Sequence, residues 1–377
     1  MQKNRVGKNN YQKAFFALLR AGLWDKEVRI QPFGEIDFAE IQRVAEEQSV
    51  VGLVVAGLEH IVDTKVGPKQ ALQFIGQTLQ LEQKNLAMNH FIGILVEKMR
   101  EHGIYTILVK GQGLAQCYVR PLWRSCGDVD LFLSSGNYQK AKKYLKPLAS
   151  QIENEYVLEK HLGMTIDSWV VELHGSLYSG LSSRIEKELD DVYHDTFYRG
   201  NVRSWINDKT QVFQLAVEND VFYVFTHILQ HFYKGGIGLR QICDWCRLLW
   251  TYRNTMDVAK LKQRLCRSGL MSEWKAFGAF AAESLGMDAE AVPFYSDDYR
   301  WKRKAERILE FIMMSGNFGH NRDRSYFEKY PYLVRKSISF GRRVGDLFRH
   351  ARIFPLDSLR FFPRLLINGV RSAARGE

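Results

Sequence analysis

Residues 107–134 read ILVKGQGLAQCYVRPLWRSCGDVDLFLS and decide the fold. An apolar strand leads into a turn that contains Gly111 and Gly113, and a short helical stretch follows. A second strand then opens with Asp128 and Asp130, one residue apart. Because alternate residues of a strand point to the same face, the two aspartates share one face and the apolar residues share the other.

A later pair of strands supplies a third acidic residue. The segments 164–167 and Trp169–His174 predict two paired strands around Ser168. Glu172 and His174 share one face of the second strand. If that strand neighbours the Asp-x-Asp strand, its carboxylate stands near the two aspartates. Carboxylates crowded in this way repel one another unless a cation lies between them. Mg²⁺ is the expected cation, because it prefers oxygen ligands and also binds the phosphates of a substrate. Glu172 could also accept a proton from an attacking hydroxyl.

The glycine turn adds a predicted anion-binding element. Gly111 and Gly113 let the backbone approach a phosphate closely, and the helix N-terminus that follows favours negative charge. Lys110 and Arg124 could neutralise phosphate charge. The alternatives are a solvated lysine at the strand end and, for Arg124, an ion pair that orients an aspartate.

The remaining pattern places this segment between helical blocks. Helical periodicity covers 10–100, including one continuous run over 38–58 and a long helix over 70–102 that ends at a glycine. Helices are expected again from about residue 206, with an apolar one over 212–232. We therefore predict an α+β fold with a small mixed sheet between helical regions. The predicted divisions are 1–102, 103–205, 206–330 and 331–377.

Composition indicates a globular protein with an uneven charge. Hydrophobic residues make up 46% and charged residues 25%, and no apolar run reaches the roughly 18 residues of a membrane span. The first residues are polar and lack a signal-peptide core, which predicts a cytoplasmic location. Residues 331–377 hold ten basic and three acidic residues, a net +7 of the total +11. Basic and aromatic residues interleaved there suggest an anionic partner, such as nucleic acid, nucleotide or a membrane surface; the alternative is a solvated, partly helical tail.

Two smaller motifs have structural explanations as well as functional ones. His227 and His231 lie at i, i+4, a spacing that can hold zinc, but no glutamate follows His227 as a metalloprotease motif requires. A pair buried in the core or in a cleft is the alternative. Cys243 and Cys246 have redox spacing inside an apolar helical pattern, with no second pair to complete a zinc site.

The order of these elements resembles the polymerase β-type nucleotidyltransferase superfamily. It is most similar to the bacterial family of uncharacterised nucleotidyltransferases. The resemblance covers roughly residues 10–320, and the residues that carry it are Lys110, Gly111, Leu114, Ala115, Tyr118, Arg124, Gly127, Asp128, Val129, Asp130, Leu131, Glu172, Leu173 and His174, with His227 or His231, Leu239, Arg240 and Asp244 in later helices.

This resemblance implies a polymerase β-like core and metal-dependent transfer of a nucleoside monophosphate from an NTP. The acceptor, whether small molecule, RNA or protein, is not implied. Asp128, Asp130 and Glu172 would be the catalytic metal ligands, with Mg²⁺ as the expected ion. Lys110 and Gly111 would contact the triphosphate.

One residue favours an alternative function. Gln112 stands in the glycine turn where the broader superfamily has serine or glycine. A catalytically degenerate member that binds nucleotide or RNA is therefore one alternative. An interaction protein that docks through its basic tail is another.

Overall fold

The computed structural model describes residues 2–157, 159–317 and 332–374. Residues 318–330 of the predicted C-terminal helical region and Arg375 of the basic tail lie outside the described residues. The helices are α1 Gln2–Trp24, α2 Phe38–Glu47, α3 Val51–Glu59, α4 Pro68–Glu101, α5 Gly111–Ala115, α6 Ser135–Leu145, α7 Ser183–Phe197, α8 Val217–Lys234, α9 Leu239–Thr251, α10 Val258–Ser268, α11 Met271–Glu283, α12 Tyr299–Ser315, α13 Tyr332–Ile353 and α14 Pro355–Ala374. The strands are β1 Ile107–Val109, β2 Asp128–Phe132, β3 Gln151–Ile152, β4 His161–Ile166, β5 Trp169–His174, β6 Val202–Asn207 and β7 Thr210–Leu215.

The N-terminal helices agree with the predicted pattern except at one break. The long helix is present as α4, which begins with a proline at its first position and is followed by Gly103 in a left-handed conformation (φ 66°). The helical run predicted over 38–58 is present but interrupted. It is split into α2 and α3 because Ser49 adopts φ 56°, which a right-handed helix cannot continue through.

The seven strands form one mixed sheet in the order β3-β4-β5-β2-β1-β7-β6. β2 runs parallel to β5 and β1 runs parallel to β7, whereas the other neighbours are antiparallel. This confirms the α+β class with a mixed sheet. The predicted hairpin around Ser168 is also confirmed, since Asp167 and Ser168 both take the positive φ of a two-residue turn.

The expected return to helices at residue 206 is wrong. Residues 202–215 form the hairpin of β6 and β7, and helix α8 begins only at Val217. The apolar run that starts at Val212 has no clear period over its first residues, and pairing with both β6 and β1 makes these residues a strand. The division predicted between 205 and 206 falls inside β6; the four-region division stays a prediction.

The two faces of the sheet meet different surroundings. One face packs on α4 and α6 around Val129, Leu131, Leu173 and other buried apolar residues. The opposite face carries the acidic residues and turns toward the larger helical core, to which Phe132 and most later helices contribute. In the described part of the chain, no helix combines the length and the apolar character needed to cross a membrane.

Candidate active site

Three carboxylates lie on one face at the centre of the sheet. The parallel register of β2 and β5 places Asp130 directly opposite Glu172 and Asp128 opposite Val170. Asp130 is buried, with 1% of its surface exposed, whereas Asp128 at the start of β2 is half-buried. The strand that carries the two aspartates and the strand that carries Glu172 are therefore neighbours, and all three acidic residues share one face.

The charges of this cluster are only partly balanced. Repulsion from Asp130, together with burial, raises the pKa of the Asp128 carboxyl, and the positive charge of Lys110 partly opposes this. The Lys110 Nζ atom lies 2.7 Å from Asp130 Oδ1. Burial alone would lower the pKa of Lys110, but Asp130 and the neighbouring acids raise it overall, so the lysine stays charged.

Two histidines complete the polar face, and the sequence had indicated only one of them. His174 Nε2 lies 2.8 Å from Asp130 Oδ1 and 3.5 Å from Glu172 Oε2. His161 on β4, directly opposite His174, brings its Nε2 to 3.1 Å from the same Glu172 Oε2. Burial opposes charge on His174, but its hydrogen bonds to Asp130 and Glu172 raise its pKa overall. Burial likewise opposes charge on Glu172, but the two histidines and Lys110 lower its pKa overall.

The turn before the aspartates is conformationally strained. Lys110 has φ 56° and ψ −145°, a region that side chains rarely occupy, and Gly111 follows with φ 43°. Strain of this kind persists only where surrounding contacts hold it. Here the Lys110 ammonium is held by Asp130 and by a hydrogen bond to the Tyr223 hydroxyl on α8.

The two glycines of the turn have different neighbours. A Cβ on Gly111 would lie 3.4 Å from the Asp128 carbonyl oxygen, so this residue is beside the acidic strand. A Cβ on Gly113 would lie 2.6 Å from Gln214 Nε2 on β7. Gly113 thus leaves room for the Gln214 side chain against α5; its contact with phosphate stays a prediction.

Gln112 points into the protein. Its side chain is 1% exposed, and its Nε2 donates a hydrogen bond to Asn85 Oδ1 on α4 at 2.7 Å. Asn85 in turn donates to the carbonyl oxygens of Leu122 and Arg124. Gln112 therefore supports the loop that leads into β2.

Arg124 forms a buried ion pair with a residue from the later helices. Its Nε and Nη2 donate to the two carboxylate oxygens of Asp244 at 2.9 and 2.7 Å, and the Tyr118 hydroxyl donates to Asp244 at 2.7 Å. Arg240 lies 3.6 Å from the same carboxylate, and its positive charge partly opposes the rise in the pKa of Asp128 that Asp130 and burial cause. Arg124 therefore does form an ion pair with an aspartate, as the alternative interpretation expected, and that aspartate is Asp244. Phosphate binding by Arg124 stays a prediction.

The histidine pair of α8 borders the same cleft. His227 and His231 approach each other through their Nε2 atoms at 3.1 Å. Burial and the nearby Lys110 lower both pKa values, that of His231 to about 3, so both rings are neutral. Tyr223, one turn earlier, is buried and its pKa is raised to about 12 by burial, against the opposing effect of Lys110. Helical spacing from His227 could have placed Tyr223 on this face, but nothing local tied it to Lys110.

The donor set of the acidic strand fits a hard divalent ion. Asp128 and Asp130 offer carboxylate oxygens beside each other, and their mutual repulsion is the feature a cation would relieve. Glu172 offers a further carboxylate. In the described residues, a set of ligand atoms close enough to share one ion is formed by His161, Glu172 and His174.

The structure defines the class of this protein: an α+β fold in which paired carboxylates on a strand lie beside a lysine and a glycine turn. The chain belongs to a protein family described as uncharacterised nucleotidyltransferase, whose model matches residues 34–286. No curated protein and no solved structure matches the chain. The matched span includes the whole sheet and every candidate site residue named above.

Proposed function

We propose that this protein is a Mg²⁺-dependent nucleotidyltransferase that moves a nucleoside monophosphate from an NTP to an acceptor nucleophile. The observation that carries the proposal is the register of β2 and β5. It aligns Asp130 with Glu172 and keeps Asp128 on the same face, beside the Lys110 ammonium. A polymerase β-like arrangement of this core is part of the same proposal.

Each residue has a proposed role. Asp128, Asp130 and Glu172 would hold Mg²⁺, which when bound stabilises charge on the phosphate oxygens. Lys110 and the backbone of Gly111 would contact the triphosphate, because both lie beside the acidic strand. Gly113 and Arg124 stay predicted contacts.

Proton acceptance is assigned to Glu172. It lies on the same face as the two aspartates, where its carboxylate could receive a proton from an acceptor hydroxyl. Its lowered pKa keeps it ionised at neutral pH but also makes it a weak base. His161 lies against the same oxygen and could take the proton onward. The Glu172 carboxylate thus combines a role toward the metal with one toward the acceptor.

The test is transfer from labelled NTPs in the presence of Mg²⁺ to the protein itself, to RNA and to a panel of small molecules. Asp128→Asn combined with Asp130→Asn should reduce transfer by at least about 100-fold, the scale expected when transition-state charge loses its partners. Asp208→Asn, in the exposed β6–β7 turn, is the matched control and should keep full activity. Undiminished transfer by the double variant would refute the site.

The degenerate alternative makes a different prediction at the same residues. Calorimetry would then detect Mg²⁺-dependent NTP binding that Asp128→Asn weakens, with no transfer to any acceptor. The residue that suggests this alternative is Gln112 in the glycine turn. Its side chain is buried and donates a hydrogen bond to Asn85. Replacement of Gln112 by serine should disturb that contact and lower stability, whichever function is correct.

A contact of the basic tail with an anionic partner is a second proposal. Leu356 and Leu359 at the start of α14 are 78% and 70% exposed, and Arg349 and Arg352 are exposed just before them. Removing the whole tail is a poor test, because Phe354 and neighbouring residues are buried in the core. Leu356→Asp with Leu359→Asp should instead weaken binding to anionic vesicles or RNA while transfer stays unchanged; unaltered binding to both would refute this proposal.

A further inference from the structure

We propose that His161, Glu172 and His174 form a binding site for a transition-metal ion of the Zn²⁺ class, separate from the Mg²⁺ expected at Asp128 and Asp130. This site goes beyond nucleotidyl transfer, although it shares Glu172 with the proposed active site. The three residues come from the adjacent strands β4 and β5 and lie on the same face.

The geometry of the three side chains is that of a shared ion. One ligand atom from each residue lies within 4.8 Å of the others. His161 Nε2 and His174 Nε2 are 3.1 and 3.5 Å from the same atom, Glu172 Oε2. Ligands about 2.1 Å from a tetrahedral ion are separated by about 3.4 Å, so little movement would be needed to bind one.

Hydrogen bonding alone leaves His174 with too few protons for its neighbours. Its Nε2 faces two carboxylates, Asp130 at 2.8 Å and Glu172 at 3.5 Å, but a single N–H points at only one of them. The shorter distance indicates that, without a metal ion, the N–H of His174 donates its hydrogen bond to Asp130. An ion bound at Glu172 would use the same nitrogen as a ligand and leave Lys110 as the close cation of Asp130.

The donor chemistry selects the class of ion. Two imidazoles with one carboxylate suit Zn²⁺ or Co²⁺, whereas carboxylate and water oxygens suit Mg²⁺. Three protein ligands also leave a position for water or substrate, as in catalytic zinc sites. The acidic strand and this cluster therefore differ in the metal they prefer.

A further carboxylate adjoins the cluster. Gly163 on β4 is the register partner of Glu172, and a Cβ at that position would come 2.5 Å from Glu153 Oε2. The absence of a side chain at Gly163 thus makes room for the Glu153 carboxylate at the position on β4 opposite Glu172. Its negative charge would favour a cation at this place.

The test uses the full chain without an affinity tag and Co²⁺ as a spectroscopic substitute for Zn²⁺. We expect one Co²⁺ to bind with the intense visible absorption of a four-coordinate site and to be displaced by Zn²⁺. His161→Ala should weaken Co²⁺ binding by at least about 100-fold, more than the loss of an outer-shell partner. His161 is 22% exposed, so this variant should keep its fold, which circular dichroism would check.

Two matched variants make the result specific. His90→Ala removes an exposed histidine of α4 and should leave Co²⁺ binding unchanged. Asp128→Asn should also keep Co²⁺ binding while it abolishes Mg²⁺-dependent transfer. The proposal is overturned if wild-type protein fails to bind Co²⁺, if His161→Ala binds it equally well, or if Asp128→Asn removes it. Transfer that survives Asp128→Asn would refute the proposed function and leave this site standing.

Discussion

The ion pair between Arg124 and Asp244 should be essential for stability. It joins the loop before β2 to helix α9, across 120 positions of the chain. The side chains of Arg124 and Asp244 are only 3% and 4% exposed. Replacement of Asp244 by alanine would leave the guanidinium charged and buried, because an arginine does not lose its proton in a protein.

The magnitude follows from the contacts that would be lost. Two hydrogen bonds from Arg124 and one from Tyr118 end on the Asp244 carboxylate, at 2.7–2.9 Å. Removing one partner of a buried ion pair costs about 3–5 kcal/mol, which includes the unpaired charge that remains. We expect Asp244→Ala to lower the free energy of unfolding by that amount.

Urea denaturation, followed by tryptophan fluorescence and circular dichroism, measures the change. The control is Glu97→Ala, which breaks the exposed Arg100–Glu97 pair and should cost less than about 1 kcal/mol. Arg124→Met combined with Asp244→Leu should be less destabilising than the sum of the single changes, since the buried guanidinium and its carboxylate partner are removed together. A cost for Asp244→Ala no larger than that of Glu97→Ala would refute the argument.

Other changes test packing, pH dependence and the loop before β2. Gly57→Ala should destabilise by more than about 2 kcal/mol, because the added Cβ would clash with the backbone carbonyl oxygen of Leu18 on α1. Gly76→Ala, which has open space around it within helix α4, should stabilise by up to about 1 kcal/mol. Thermal melting of the two variants would measure both changes. Burial opposes ionisation of Asp195, but Lys260 and two asparagines lower its pKa to about 2. The stability that ionised Asp195 contributes should therefore be complete above the unfolded pKa of about 4 and should disappear as the pH falls toward 2. In Asp195→Asn, the melting temperature measured over this pH range should fall less steeply than in the wild type. Asn85→Ala leaves two loop carbonyls without their donor and should cost about 2 kcal/mol in urea denaturation; a loss under about 0.5 kcal/mol would contradict the assigned support.

Local patterns predicted the elements that carry the chemistry. The two-residue period of a strand placed Asp128 and Asp130 on one face, and the hairpin around Ser168 followed from alternation and turn residues. The long helix α4 and its end at Gly103 were similarly evident. The break at Ser49 was missed because apolar residues continue at helical spacing on both sides of it.

Long-range pairing explains what the sequence could not show. The apolar residues of β7 have no helical or strand period long enough to decide their structure. Pairing with β6 along the whole strand and with the distant β1 makes them a strand. His161 had no motif of its own, since its significance comes from lying opposite His174 on the neighbouring strand. Tyr223 reaches Lys110 in the same way, from a helix that begins more than 100 residues later.

The amino-acid sequence by itself determined which residues share a face, because side-chain direction repeats every two residues in a strand and is a local property. Only the tertiary structure decided which faces meet. Parallel pairing set Glu172 against Asp130, and packing of α9 joined Asp244 to Arg124 rather than leaving that arginine to an aspartate of β2. These contacts depend on chain segments far apart in sequence, whose pairing is selected by burial of the whole sheet and not by any residue pattern within one strand.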